Sequence, residues 1–183
     1  RYQGNMQDLE YLDFTSMALP YHVRLPSSLL IIGSGGGSDV LLGLRYGASI
    51  VTALEANQQI ADLLLGPFRE FSGDLYAKKE VDLKVQEARE FLYSSNKTFD
   101  LISLSLLDSF GSSAGGLHSA SESYLYTTEA FKLYLSRLSD SGILAVSRWL
   151  KLPPRDSLRV FATALAALKE VGVATRPEEH LLF

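Results

Sequence analysis

Cysteine is absent from this sequence, which excludes disulfide bonds, thiolate metal sites and a cysteine nucleophile. The redox compartment of the protein is left undetermined by this absence. Only three histidines are present, and neither His22 nor His180 has a second ligand at a spacing that binds metal ions. We therefore predict no metal site.

Positive charge is also scarce, because 17 lysines and arginines stand against 21 aspartates and glutamates. The basic residues are scattered, which argues against a nucleic-acid partner. No apolar run approaches the roughly 20 residues of a membrane span, and no signal-like N-terminus is present. The sequence thus predicts a soluble, cytoplasmic domain without membrane contact. Since it starts at Arg1 rather than at a methionine, we expect part of a longer protein, which could contain membrane segments.

The segment from position 29 to Glu55 carries the strongest signal. An apolar run over residues 29–32 predicts a buried strand, the glycines that begin at Gly33 predict a tight turn, and residues 39–46 predict a helix. A second strand is predicted over residues 50–54. Glu55 at its end follows Gly33 by 22 positions, near the spacing at which a carboxylate binds ribose hydroxyls. The segment therefore predicts a ligand that contains adenosine.

The charges around the turn favour one kind of adenosine ligand. A dinucleotide fingerprint has glycine or alanine where this chain has Ser38, whereas the spacing Gly33-x-Gly35-x-Gly37 is typical of folds that bind S-adenosylmethionine. Asp39, in the first helical turn, would repel a pyrophosphate and attract a sulfonium cation. We therefore favour a sulfonium nucleoside over a dinucleotide. A glycine turn that merely packs helix on sheet is the non-functional alternative.

Beyond this segment, strand-like and helix-like stretches keep alternating, which is the pattern of an α/β fold with a parallel sheet covered on both faces. Further strands are predicted over residues 81–85, 99–104 and 143–146. Helix caps are predicted at Asn57, at Thr127 or Thr128, and at Asp156. We expect the helix after Thr127 to run through Leu138 and to stop near Gly142. Residues 1–28 are interpreted as a lead-in segment and residues 29–183 as one nucleoside-binding domain.

Polar side chains collect where the predicted strands end, at the edge where open α/β sheets bind ligands. Gln86 and Glu87 follow the third strand and are candidates for contact with adenine, although a charge at a helix N-terminus explains them equally well. Asp108 follows the fourth strand and is a candidate acid-base or amine-binding carboxylate, with an Asx turn as the alternative. It precedes a stretch rich in Ser, Gly and Ala, residues 109–123, which predicts a flexible loop that contains His118.

Four blocks of sequence stand in a familiar order: LLIIGSGGG with VTALEAN, QEAREFL, FDLISLSLLDSFGSSAG and LYTTEAFKLYLSRLSDSGILAV. They resemble the polyamine aminopropyltransferases, the spermidine synthase group, within the S-adenosylmethionine-dependent methyltransferase superfamily. The resemblance implies a Rossmann-like, doubly wound, mostly parallel sheet of the class I methyltransferase type. The expected strand order is 3-2-1-4-5-7-6, of which this chain could lack the last strands. It also implies S-adenosylmethionine or its decarboxylated form as a substrate.

One position departs from that family at the expected reaction centre. In the synthases the fourth strand ends in a pair of carboxylates, the first of which helps to deprotonate the attacking amine. Here Ser105 occupies the first position, and Asp108 alone matches the pair. A hydroxyl without a base cannot take a proton from an ammonium group at neutral pH. The departure argues against ordinary spermidine synthesis and leaves the nucleoside pocket intact.

Three functions are compatible with these residues. The first is a spermidine synthase-like transferase that moves an aminopropyl group to an amine or polyamine, or a methyl group if the ligand is intact S-adenosylmethionine, with Ser105 and Asp108 at the reaction centre. The second is a non-catalytic nucleoside-binding module that has lost the base. The third, a nicotinamide oxidoreductase, is disfavoured by Ser38. The acceptor stays open, and so does the oligomeric state, for which a homodimer is one expectation.

Overall fold

A five-stranded parallel sheet dominates the computed structural model, which describes residues 2, 4–105, 124–149, 152–172 and 176–182. The strand order is β3-β2-β1-β4-β5. The strands are β1 (Ser28–Ile32), β2 (Ile50–Glu55), β3 (Val81–Val85), β4 (Phe99–Ser105) and β5 (Leu138–Ser147). The predicted α/β fold and the order 3-2-1-4-5 are thus confirmed. The two further strands of the expected order are not among the described residues.

Within the described ranges, six α-helices accompany the strands: α1 (Leu19–Val23), α2 (Ser38–Arg45), α3 (Gln58–Leu65), α4 (Ala88–Ser94), α5 (Thr128–Leu135) and α6 (Arg155–Glu170). Short 3₁₀ helices lie at Met6–Phe14, Ser16–Ala18, Leu75–Ala77 and Pro177–His180. Asn57 caps α3 by accepting the amide of Gln59 at 2.9 Å, and Thr127 caps α5 by accepting the amide of Ala130 at 3.2 Å. Both predicted caps are therefore confirmed.

The central position of β1 explains why its sequence is continuously apolar. It pairs with β2 on one side and with β4 on the other, so its side chains are covered on both faces of the sheet. Every residue of β1 after Ser28 is buried. The turn that follows β1 is thereby held at the centre of the carboxyl edge of the sheet.

The N-terminal residues pack onto the same core as the sheet. Leu9, Leu12 and Tyr21 are buried within it. Arg45 on α2 holds this segment with a bidentate ion pair to Asp13, in which Nε lies 2.9 Å and Nη2 lies 2.6 Å from the two carboxylate oxygens. The hydrogen bond from Arg45 lowers the pKa of Asp13. The division of the chain at position 28 remains a prediction.

The chain divides into two compact units, the first formed by Arg1–Ser105 and Arg137–Ser147 and the second by Leu106–Ser136 and Arg148–Phe183. The first unit contains the whole described sheet. In the second unit, α5 packs against α6, and Lys132 pairs with Glu170 at 2.7 Å. All the site geometry given below belongs to the first unit.

Two predicted helix boundaries are wrong. The helix after Thr127 ends at Leu135, and Leu138 already belongs to β5, where it pairs with Phe99. The pairing register then shifts, because Leu101 faces Ile143; strand pairing thus outweighs the helical spacing of Leu138. The last helix begins at Arg155 with Pro154 as its cap residue, so that Asp156 lies in the first turn rather than at the cap.

Candidate functional site

The glycine turn closes against the carboxyl end of β2. The amides of Gly33 and Ser34 both donate to the carbonyl oxygen of Leu54, at 2.9 and 2.8 Å. Gly33, Gly35 and Gly37 have positive φ angles of 74°, 44° and 91°, a conformation that glycine adopts without strain. The predicted tight turn is therefore present.

Tyr76 holds the turn by a hydrogen bond, and the sequence analysis did not identify it. Its hydroxyl donates to the carbonyl oxygen of Gly35 at 2.7 Å from the 3₁₀ helix Leu75–Ala77. Burial raises the pKa of Tyr76 to about 12, so the phenol stays a neutral donor at physiological pH. No local motif marks this residue, because its partner lies 41 positions away.

Glu55 is buried at the end of β2, with both carboxylate oxygens engaged. Oε2 accepts the amide of Gly35 at 3.0 Å, and Oε1 accepts the amide of Asn57 at 2.9 Å. A carboxylate offers about four lone-pair sites, so two remain for further donors. Two neighbouring hydroxyls, such as those of a ribose, fit this remaining capacity. Ribose binding by Glu55 stays a prediction.

Gln86 and Glu87 follow β3 at the same edge of the sheet. The amide of Gln86 donates to the carbonyl oxygen of Glu55 at 3.2 Å, and its side chain is half-buried. Glu87 is exposed and caps α4 by accepting the amide of Arg89 at 2.9 Å. A helix-terminal role is thus present for Glu87, while contact of either residue with adenine stays a prediction.

Ser105, the last residue of β4, is hydrogen bonded to a carboxylate that comes from α2. Its hydroxyl donates to Oδ1 of Asp39 at 2.8 Å, and the hydroxyl of Ser103 donates to the same oxygen at 3.1 Å. Burial raises the pKa of Asp39, and the two serine hydrogen bonds oppose this shift. Sequence reasoning placed Asp39 near the turn but missed its serine partners. The alternation of Ser103 and Ser105, which puts both on one face of β4, is the signal that could have found them.

Asp108, the loop over residues 109–123 and His118 lie outside the described residues, so their predicted roles are untouched by the geometry. Among the residues that are described, no group of three His, Asp or Glu side chains could hold a metal ion. Within the same ranges, no helix has the length and hydropathy that a bilayer span requires.

A cavity of about 560 Å³ opens beside Gly36. Its walls are mostly apolar and come from the N-terminal 3₁₀ helix, α2, α3 and the segment after α3; they include Leu9, Leu41, Ile60, Leu63, Phe68 and Phe71. Neither Glu55 nor Ser105 lines it. The cavity therefore borders the glycine turn without including the Glu55 or Ser105 side chain in its lining.

Comparison with known proteins gives distant relatives. No protein-family model matches the chain. A polyamine aminopropyltransferase of Thermoplasma volcanium is 24% identical over 160 residues, which cover 86% of this chain and 55% of that protein. Another, of Korarchaeum cryptofilum, is 23% identical over 137 residues, or 74% of this chain and 40% of that protein. The chain thus spans about half the length of the curated relatives it matches.

Solved structures share the fold. A spermidine synthase in complex with the transition-state analogue AdoDATO has a TM-score of 0.57 at 16% identity, over 90% of this chain and 50% of that one. The spermidine synthase of Thermotoga maritima has a TM-score of 0.59 at 17% identity, over 90% and 51%. A Pyrococcus horikoshii protein proposed to be an RNA methyltransferase has a TM-score of 0.50 at 16% identity, over 85% and 66%. By its strand order and these matches, the chain has the fold that spermidine synthases share with methyltransferases, and its sequence is similar to those of polyamine aminopropyltransferases.

Proposed function

We propose that this chain is a transferase domain that binds decarboxylated S-adenosylmethionine and transfers its aminopropyl group to an amine. The observation that carries the proposal is the position of Glu55, which is hydrogen bonded to the glycine turn and keeps lone pairs for two more donors. An acidic residue at the end of β2 beside such a turn is the arrangement that binds an adenosine ribose. Gln86 and Glu87 follow the next strand, β3, and would contact the adenine.

The reaction would be a single in-line displacement. The nitrogen of a neutral amine attacks the carbon beside the sulfonium, the carbon–sulfur bond breaks, and its electron pair stays on sulfur as a thioether. The protein would contribute by orienting the two reactants and by removing water from them. Ser105 would lie at the reaction centre, and Asp108 would bind an ammonium group of the acceptor, as the family resemblance implies. The acceptor would be a small amine or polyamine.

The family relationship supports this choice of ligand. The matched curated relatives are polyamine aminopropyltransferases, and one matched structure is a complex with AdoDATO. This chain spans about half of those relatives. We propose the same activity for the whole protein, together with a homodimer and a cytoplasmic location.

Calorimetric titration of the purified chain tests the proposal. Decarboxylated S-adenosylmethionine, intact S-adenosylmethionine and NAD would be titrated separately. We expect the decarboxylated ligand to bind at least tenfold more tightly than the intact one, whereas the reverse preference would favour methyl transfer. Heat only with NAD, or with none of the three, would overturn the proposal.

The role of Asp108 has its own test. Asp108→Asn should lower the rate at which product forms from decarboxylated S-adenosylmethionine and an added diamine, because the neutral amide cannot form an ion pair with an ammonium group. Product formation at the unaltered rate would remove Asp108 from the mechanism.

A further inference from the structure

A buried carboxylate lies directly behind Ser105, although Asp39 and Ser105 are 66 positions apart in the chain. Asp39 is 8% exposed and Ser103 is 5% exposed, whereas Ser105 is only half-buried. The hydroxyls of the two serines are 3.1 Å apart, and both donate to Oδ1 of Asp39. Ser105 is thus the member of the cluster that is partly exposed to solvent.

This cluster is a costly arrangement for a purely structural contact. A carboxylate removed from water is destabilised unless it is paired and hydrogen bonded. The two side-chain donors here are neutral hydroxyls, which satisfy lone pairs without balancing the charge. Two serines and an apolar residue would join α2 to β4 with less penalty. The retained charge therefore points to a chemical use.

On the basis of the proposed transferase function, we infer that Asp39 acts through Ser105 as the proton acceptor for the attacking amine. The synthases have a carboxylate at the position of Ser105, and this chain has a hydroxyl there. A serine hydroxyl alone is a very weak base, but one that already donates to a carboxylate can pass its proton on and accept another. Asp39 would thus supply from α2 the charge that β4 lacks.

The proton transfer balances without a further reactant. An ammonium N–H of the acceptor gives its proton to Oγ of Ser105, while the original Ser105 proton moves to Oδ1 of Asp39. The nitrogen is then neutral and forms a bond to the carbon beside the sulfonium, while the carbon–sulfur bond breaks and its electron pair stays on sulfur. Asp39 ends protonated and releases the proton to solvent after the product leaves. Asp39 is accordingly a positioning and proton-accepting residue, and Ser105 is the catalytic residue that touches the amine.

Two of the titratable groups near Asp39 are phenols. The phenols of Tyr21 on α1 and of Tyr76 both interact electrostatically with Asp39. Burial raises the pKa of each, and the charge of Asp39 adds to both shifts. Because both phenols stay protonated up to alkaline pH, a loss of rate on the acidic side would not come from them.

Four variants test the inference: Asp39→Asn, Ser105→Ala, the double variant Asp39→Asn/Ser105→Asp, and Asp62→Asn as a control. Asp62 is exposed on α3, and its carboxylate accepts a hydrogen bond from the side chain of Gln58. Turnover is measured as release of the methylthio nucleoside from decarboxylated S-adenosylmethionine with 1,4-diaminobutane, from about pH 4, where an ordinary carboxyl group titrates, to about pH 9. Calorimetry with decarboxylated S-adenosylmethionine measures binding separately from turnover.

We expect Asp39→Asn and Ser105→Ala each to lower kcat by about 100-fold or more, and Ser105→Ala to leave the affinity for decarboxylated S-adenosylmethionine within about threefold of the wild type. The acidic limb of the wild-type pH–rate profile should disappear in Asp39→Asn, because its amide does not titrate. The double variant should recover at least tenfold of the lost rate, since it returns a carboxylate to the reaction centre. A merely structural role for Asp39 would lower the rate without removing the acidic limb.

The outcomes separate the two proposals. If the wild type does not bind the nucleoside, the proposed function fails and the inference fails with it. If it binds and turns over, but Asp39→Asn keeps its rate and its acidic limb, the inference alone is overturned. If it binds without turnover, the proton-transfer role is overturned and nucleoside binding stands. Should Asp39→Asn not fold, an unaltered rate in Ser105→Ala would overturn the inference equally well.

Discussion

Oε2 of Glu55 accepts a hydrogen bond of 3.0 Å from the amide of Gly35, 20 positions earlier in the chain. The contact joins the end of β2 to the turn that follows β1, while Oε1 of the same carboxylate holds the amide of Asn57 at the start of α3. Glu55 therefore organises the turn whether or not it also binds a ribose, and the two roles can be measured separately.

Glu55→Gln should weaken both roles. Its amide nitrogen cannot accept from a backbone N–H, so one of the two backbone amides loses its acceptor, at a cost on the order of 1–3 kcal/mol in the free energy of unfolding. We also expect at least a tenfold loss of affinity for decarboxylated S-adenosylmethionine. Urea unfolding and calorimetry are the two measurements, with Glu90→Gln on the exposed face of α4 as the control. Unaltered affinity would contradict ribose binding by Glu55.

Gly37→Ala should destabilise the protein far more than Gly36→Ala. At Gly37 a Cβ atom would collide with the Leu75 side chain, and the φ angle is 91°, so crowding and backbone strain together cost on the order of 2–4 kcal/mol. At Gly36 a Cβ atom would meet nothing within 4 Å, and alanine there should be neutral or stabilising by up to about 1 kcal/mol. Thermal unfolding compares the pair. Equal losses at both positions would show that the turn is packed differently.

Tyr76→Phe should loosen the turn without changing its shape. The variant removes the hydrogen bond of 2.7 Å to the carbonyl oxygen of Gly35, which costs on the order of 1–3 kcal/mol if that oxygen stays dry. Hydrogen exchange at the amides of the turn should become faster than in Tyr93→Phe, a control on the exposed side of α4. The same exchange rate in both variants would rule out a supporting role for the Tyr76 hydroxyl.

Asp39→Asn should stabilise the fold at neutral pH. Burial raises the pKa of Asp39 above its ordinary value of 3.8, so the folded state binds this proton more tightly than the unfolded state does. Stability is therefore lost as the pH rises from about 4 through the raised pKa, and the whole penalty is present above it. Asparagine carries no charge and still accepts from the serines, so it escapes this penalty.

Urea unfolding at two pH values checks that sign. Below about pH 4 the variant and the wild type should have similar free energies of unfolding, and at about pH 8 the variant should be more stable. Each kcal/mol gained corresponds to a rise of about 2–4 °C in Tm for a domain of this size. A variant that is less stable at the higher pH would contradict the expected cost of the buried charge.

Asp100→Asn should have the opposite dependence on pH. Oδ2 of Asp100 accepts the amides of Ser27 and Ser28 at 3.0 Å each, and Oδ1 accepts the hydroxyl of Ser139 at 2.8 Å. The hydrogen bonds, with that from the Ser28 amide first, lower the pKa of Asp100. Its contribution to stability is therefore complete above the ordinary pKa of 3.8 and is lost as the pH falls through the lowered value.

The expected loss in Asp100→Asn is on the order of 1–3 kcal/mol at neutral pH, shrinking toward zero in acid. Asp140→Asn is the control, because Asp140 is exposed and directly follows Ser139, the hydrogen-bond partner of Asp100. Denaturant unfolding from about pH 7 down to about pH 2 follows both variants. A difference from the wild type that is independent of pH would mean that the carboxylate charge contributes nothing.

Features that depend on neighbouring residues are predictable from the amino-acid sequence. The apolar run before Gly33, the spacing of the glycines and the position of Glu55 predict a strand, a turn and a second strand, because backbone freedom and burial act locally. The cap at Asn57 was predictable for the same reason, since its side chain bonds an amide two positions away.

Contacts between distant positions depend on how the whole chain folds. Leu138 has helical spacing, yet it lies in β5 because pairing with Phe99 on β4 outweighs that preference. Tyr76 reaches Gly35, and Asp39 reaches Ser105, once the crossovers have set β1 beside both β2 and β4. Asp39 on α2 meets Ser105 because β4 lies beside β1, the strand before α2, and Tyr76 reaches the turn from the 3₁₀ helix before β3; local propensity does not encode either relation.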